Sequence, residues 1–212
     1  MGEPWDIAPV PRRGMREAMR FLVGGRRTDG ETIARAEVLA EAVRRRGRGH
    51  VAAWWARRGR QPAAAALMFR NPGRTGLLFC CPLEAPGVDA GACSAVVAAL
   101  SEDELARGLY FCQAILRPEA RAEAAMVQAA GYEPLAELVT MSLDLRRAEP
   151  APPDPEGLAF RRYGEYGEPV LEAVIAATYE GSLDCPRIAG RREMADVVAA
   201  HPVGRSPELF QT

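Results

Sequence analysis

The chain has 212 residues, a formal net charge of -1, 48% hydrophobic and 26% charged residues, a balance that excludes a wholly disordered chain and permits a sizeable core. No apolar run reaches the ~18 residues of a membrane span, and Met1–Val10 lacks the basic start and apolar centre of a signal peptide, so a cytoplasmic protein with no membrane partner is expected. All 27 basic residues are arginine, and residues 1–60 hold 14 of them against 7 acids, so one end of the chain is distinctly basic.

In chain order, Ile7–Val10 reads as a short strand. Arg13–Val23 reads as a helix, because Met15, Met19, Leu22 and Val23 recur at helical spacing before Gly24-Gly25 stops it. Thr28 with Glu31 three residues on forms a capping box, and Ile33, Ala36, Leu39, Ala40 and Val43 make one apolar stripe up to the stop at Gly47. Arg44, Arg45, Arg46 and Arg48 then sit at the negative end of that helix, which favours cations. His50–Arg57, Ala63–Arg70 and Thr75–Cys81 read as three antiparallel strands joined by Arg58–Gln61 and by Asn71-Pro72-Gly73-Arg74. The near-continuous apolar character of Thr75–Cys81 predicts a central strand covered on both faces. Trp54 and Trp55 fall on opposite faces of their strand, one toward the core.

After the loop Pro82–Val88, a helix is expected from Asp89 to about Leu105, then a strand over Leu109–Leu116. A helix from Pro118 to Ala130, stopped by Gly131, and a strand over Leu135–Leu145 follow. Residues 147–157 carry Pro150, Pro152, Pro153 and Pro155, the composition of an extended linker. Beyond it come a strand (Leu158–Tyr163), a helix (Glu168–Tyr179), a loop (Glu180–Ala189) and a helix (Arg191–His201).

The order strand, helix, helix, three antiparallel strands, helix, strand, helix, strand, ending in Ala129-Ala130-Gly131-Tyr132-Glu133-Pro134-Leu135, resembles the GNAT superfamily of acyl-CoA N-acetyltransferases. That resemblance implies an α/β (α+β) fold with a mixed, mostly antiparallel sheet flanked by helices on both faces. Residues 158–212 resemble the opening of a second, incomplete unit of the same kind, so the whole is similar to tandem-GNAT proteins: a GNAT-like domain at 1–146, a linker at 147–157, and a partial unit. The resemblance also implies acetyl-CoA as co-substrate and a small-molecule amine or a peptide as acceptor. A homo-oligomer stays open.

The same resemblance places the cofactor on the fourth strand, around Phe79, Cys80 and Cys81, and on the following loop, with Gly87 and Gly91 as phosphate contacts. Glu84 stands where the family has Gln or Arg, and Asp89 lies at the helix start, where it also suits an N-cap. The position of the family's general-acid tyrosine is Val127, so no catalytic acid or base is assigned and the first unit reads as degenerate. Tyr179, Glu180, Ser182, Asp184 and Cys185 are acceptor-side candidates. No CxxC pair or histidine cluster points to a metal, and Cys80 and Cys112 read as small core residues, as neither His50 nor His201 is spaced to activate them. The alternative function is a catalytically silent ligand- or partner-binding module. The basic segment allows a nucleic-acid surface, but no binding motif supports one.

Overall fold

A run of alanines sets the centre of the sheet. In the computed structural model, which describes residues 4–139, 142, 144, 165, 167–181, 187 and 190–200, strand β3 (Gln61–Asn71) lies between β2 (Val51–Arg58) and β4 (Thr75–Cys80). Ala64, Ala65, Ala66, Leu67 and Met68 are all buried. Small side chains there let helices pack closely on both faces of the strand, and dense packing of this kind is the main source of stability in a protein interior. Helix α1 (Met15–Gly24) covers one face with Ala18, Met19, Phe21 and Leu22, and helix α3 (Ala90–Ala106) covers the other with Ala92, Val96, Val97 and Leu100. Helix α2 (Gly30–Arg46) packs on α1.

Among the described residues the sheet order is β1-β2-β3-β4-β5, with β1 (Asp6–Pro9) and β5 (Phe111–Ala114) outermost. All neighbours are antiparallel except β4 and β5, which run parallel and pair from Thr75↔Phe111 to Leu78↔Ala114. A parallel pair requires a crossover, and α3 supplies it. Helix α4 (Arg121–Ala129) then packs beside α3. The expected mixed, mostly antiparallel sheet flanked by helices is therefore the fold of this part of the chain.

Several expected details change. The cap of α2 is Asp29 rather than Thr28: its carboxylate accepts the Thr32 N–H at 2.8 Å and the Thr32 hydroxyl at 3.0 Å, and these bonds hold it below the usual carboxylate range. A charged acceptor binds the helix's free N–H groups more strongly than a hydroxyl does. Strand β4 lies inside the sheet, but it is not covered on both faces throughout, since Phe79 is 39% exposed; β3 is the deeper strand. The β5 strand is shorter than Leu109–Leu116, and α4 starts at Arg121 after a turn at Pro118–Ala120. Among the described residues of the expected strand Leu135–Leu145, none is in a strand.

Two compact units are distinguished, Met1–Pro134 and Leu135–Thr212. The second contains α5 (Glu168–Tyr179) and α6 (Met194–Ala200), and Ile175, Val197 and Val198 form its small apolar cluster with Leu171 and Met194. Helix α6 starts three residues later than expected. The linker 147–157 and the strand Leu158–Tyr163 lie outside the described residues.

One buried ion pair ties α3 to the sheet. The Arg70 guanidinium donates through Nε and Nη2 to the two Glu104 carboxylate oxygens, and it also donates to the Gly49 carbonyl at 3.0 Å. Glu104 is fully buried, so its charge is tolerable only with this partner. Arg70→Met should therefore lower stability by about 3–5 kcal/mol in urea denaturation. Arg70→Met combined with Glu104→Leu should recover most of that loss; additive losses would show that the pair contributes nothing by pairing.

Candidate active site at the β4–β5 fork

The parallel pairing of β4 and β5 ends at Leu78 and Ala114. From Phe79 onward the strand pairings of β4 among the described residues are on its β3 side, through Leu67↔Phe79 and Ala66↔Cys80, so among those residues its other edge is open. Phe79 and Cys80 thus stand at a fork where an extended ligand can take the place of a sheet strand, with amide groups on the ligand pairing with the strand edge. Cys81 departs from the edge: its thiol is fully buried and lies within 3.3 Å of both the backbone N–H and the carbonyl of Ala65. Its backbone remains beside the fork, but its side chain belongs to the core.

The loop that leaves β4 bends at Gly87, whose φ is +79°. The neighbouring turn after α1 bends at Gly25, φ +61°, and the two are bonded by the Arg26 N–H donating to the Pro86 carbonyl at 2.8 Å. A Cβ at Gly87 would lie 2.4 Å from Arg26 Nε, so the Arg26 side chain lies directly over the glycine. The loop therefore carries a guanidinium from a distant segment. Arg26 was not singled out in the sequence, and its only signal was the Gly24-Gly25-Arg26-Arg27 stretch; the contact depends on two turns about sixty residues apart.

Two carboxylates act on the same loop. Asp89 caps α3 by accepting the Ala92 N–H at 3.0 Å, as its position predicts. Glu123 of α4 accepts the Leu83 N–H at 2.9 Å, and this bond holds it below the usual carboxylate range; its side chain also meets that of Glu84. Gly91 faces Trp5, since a Cβ there would be 2.9 Å from the indole, and Trp5 Nε1 is buried with no acceptor among the described residues. Gly91 thus packs against Trp5, while Gly87 lies under Arg26 in the loop that follows the β4 edge. The amides of Leu83 and Ala92 are already taken.

On the face beneath the fork, Tyr132 follows the Gly131 stop and lies between α3 and β5. Its hydroxyl is 2.9 Å from Ser101 Oγ, and burial pushes its phenol up to about 12. Val127 is buried, so a phenol in its place would overfill the core. His50 is exposed, in the turn just before β2. Tyr179 and Glu180 lie at the end of α5 and are exposed, while Ser182, Asp184 and Cys185 fall outside the described residues. No metal-holding group of His, Cys, Asp and Glu occurs among the described residues, and no described helix is long and apolar enough to cross a membrane.

No family model matches the sequence, and no curated protein matches it. Solved structures do resemble it in outline. An aminoglycoside N-acetyltransferase in complex with CoA is 17% identical, covering 68% of this chain and 97% of its own, with a TM-score of 0.48. Glucosamine-6-phosphate N-acetyltransferase from Arabidopsis thaliana is 14% identical, covering 67% and 100%, with a TM-score of 0.42. A transcriptional regulator from Bacillus halodurans C-125 is 12% identical, covering 66% and 100%, with a TM-score of 0.48. None of these proteins' activities transfers to the chain at that distance, and the fold stands on its own strand order and register.

The cysteines near the fork are protected rather than activated. Burial pushes the Cys80 thiol up to about 12 and the Cys112 thiol up to about 11, and Cys81 higher than the usual thiol range. At pH 8 iodoacetamide should thus alkylate Cys80 and Cys112 at least about a hundredfold more slowly than an exposed thiol, as read by mass spectrometry over time. The thiols' contribution to stability should be present below pH ~9 and should fall as pH rises beyond it, because the unfolded chain loses those protons first. Rapid alkylation of Cys80 would restore it as a candidate nucleophile.

Proposed function

We propose that the chain is an acyl-CoA-dependent N-acyltransferase of the GNAT superfamily that moves an acetyl group from acetyl-CoA to the amine of a small molecule or a peptide, in the cytoplasm. The observation that carries this reading is the fork, where an open β4 edge at Phe79 and Cys80 runs into a glycine-bent loop with Arg26 lying across it. A linear thioester with an anionic end suits that combination. Its amides would pair with the free edge of β4 and its phosphates would lie by Gly87 and Arg26. Acetyl-CoA supplies the activated acyl carbon; the attacking amine forms the C–N bond as the C–S bond breaks, CoA leaves as its thiolate, and the amine's proton passes through solvent to that thiolate. The fork would hold the thioester carbonyl near the free β4 amides, which can bear the charge on its oxygen.

The second reading, a catalytically silent ligand-binding module, is favoured by the chain's own carboxylates. Asp89 and Glu123 hold the amides of Ala92 and Leu83, and no phenol stands at Val127. We further propose the tandem arrangement of 1–146, 147–157 and 158–212, with a degenerate first unit and Tyr179, Glu180, Ser182, Asp184 and Cys185 as acceptor candidates of the second.

Calorimetric titration with acetyl-CoA separates the two readings. Saturable binding, weakened about tenfold by Gly87→Ala and tightened severalfold by Glu84→Gln, with N-acetylation of an amine panel, is the expected outcome. Gly87→Ala strains a left-handed backbone and displaces Arg26 together. Binding without acetylation would establish the silent module, and no binding at millimolar acetyl-CoA would remove the transferase reading.

A further inference from the structure

A second concavity lies at the far end of the sheet, one length of α3 or about 25 Å from the loop after β4. It has a volume of about 600 Å³, within the range of small-molecule sites. It opens where β1 stops short: β1 pairs only with Trp54–Arg57, so on that side the first residues of β2 have no strand neighbour, while their other side stays paired with β3. Trp54 forms the floor, half-buried, with Val10, Met15 and Val43 around it. The sequence put one of the adjacent tryptophans in the core, and Trp55 takes that role, packed where a Cβ on Gly14 would come within 2.7 Å of it. Trp54 is left to face the concavity.

The walls are charged, and their pairing decides what the cavity can hold. Arg44 is bonded to Glu41, Arg70 to the buried Glu104, and Arg107 to Asp103. Arg12, on the turn after β1, also lines the cavity and has no carboxylate partner among the described residues. The C-terminal ends of α2 and α3 also point here, and their partial negative charges offset some of the arginine excess. One guanidinium of the lining, in the cavity that Trp54 also lines, therefore remains uncommitted among the described residues. The Arg70 and Glu104 side chains that line the cavity are joined to each other, and Arg70 also to the Gly49 carbonyl.

We propose that this cavity is a binding site for a small monoanion with a flat apolar body, an aryl carboxylate in chemical class, with the ring against Trp54 and the carboxylate on Arg12. A planar guanidinium holds a carboxylate through two parallel N–H donors, and an indole favours a flat apolar ring. The site is independent of acyl transfer at the fork.

The test uses the full chain and three probes of one shape: phenylacetate, phenylacetamide and benzylamine, titrated by calorimetry and by the NMR signal of the Trp54 indole. Phenylacetate should bind at least about tenfold more tightly than the other two. Arg12→Gln, at an exposed position that leaves the fold intact by circular dichroism, should bring phenylacetate down to the affinity of phenylacetamide. Trp54→Leu should weaken both. Equal binding of the three probes, preference for benzylamine, no saturation up to about 10 mM, or an Arg12→Gln protein that binds phenylacetate unchanged would each overturn the proposal. Acetyl-CoA binding need not change in any of these variants, so failure here leaves the reading of the fork intact.

Discussion

The parallel pairing of β4 and β5 is the constraint on which the rest of this molecule depends. A parallel neighbour cannot be reached by a hairpin, so the chain must leave β4, cross the sheet as α3 and return. That route puts a loop and a helix start at the end of β4. Because the pairing lasts only four residues, it also leaves Phe79 and Cys80 with an edge that is unbonded among the described residues, beside that loop. Every feature of the candidate site follows: the bend at Gly87, the caps on α3, and the approach of the α1–α2 turn that brings Arg26 over the glycine. The alanine-rich β3 allows this, since larger side chains there would hold α1 and α3 farther from the sheet.

The two ends of α3 divide the chemistry. At its start, carboxylates have taken some of the N–H groups that an anion would use, while an arginine from elsewhere offers a replacement charge. Asp89 serves α3 itself, and Glu123 serves the loop, so α4 and the loop are joined by a hydrogen bond. At its far end, Glu104 is neutralised by Arg70, and this pair closes the sheet against the helix.

Much of this was legible in the residues because it is local. The Asp89 cap, the apolar stripe of α2 and the turn at Asn71-Pro72-Gly73-Arg74 depend on spacing within a few positions, and each lies where the pattern put it. The cap of α2 was misplaced by one residue because Thr28 and Asp29 both suit the position, and the preference for the charged acceptor shows only in the bond to Thr32. The fork, Arg26 over Gly87 and the cavity before Trp54 were not legible. They depend on how long β1 and β5 pair with their neighbours, and pairing length is set by packing between distant segments. For the same reason apolar continuity in Thr75–Cys81 identified an interior strand but not the exposure of Phe79.

The central claim is that the free edge of β4 after Leu78 receives a linear ligand. Amide hydrogen exchange, followed residue by residue with and without acetyl-CoA, tests it most directly. The account predicts slow exchange along β3 in both states, and fast exchange at the outward-facing amides among Phe79, Cys80 and Cys81 in the free protein, which become protected when acetyl-CoA is added. Unchanged exchange at those residues in a sample that demonstrably binds acetyl-CoA would contradict it, because the ligand would then lie elsewhere on the molecule.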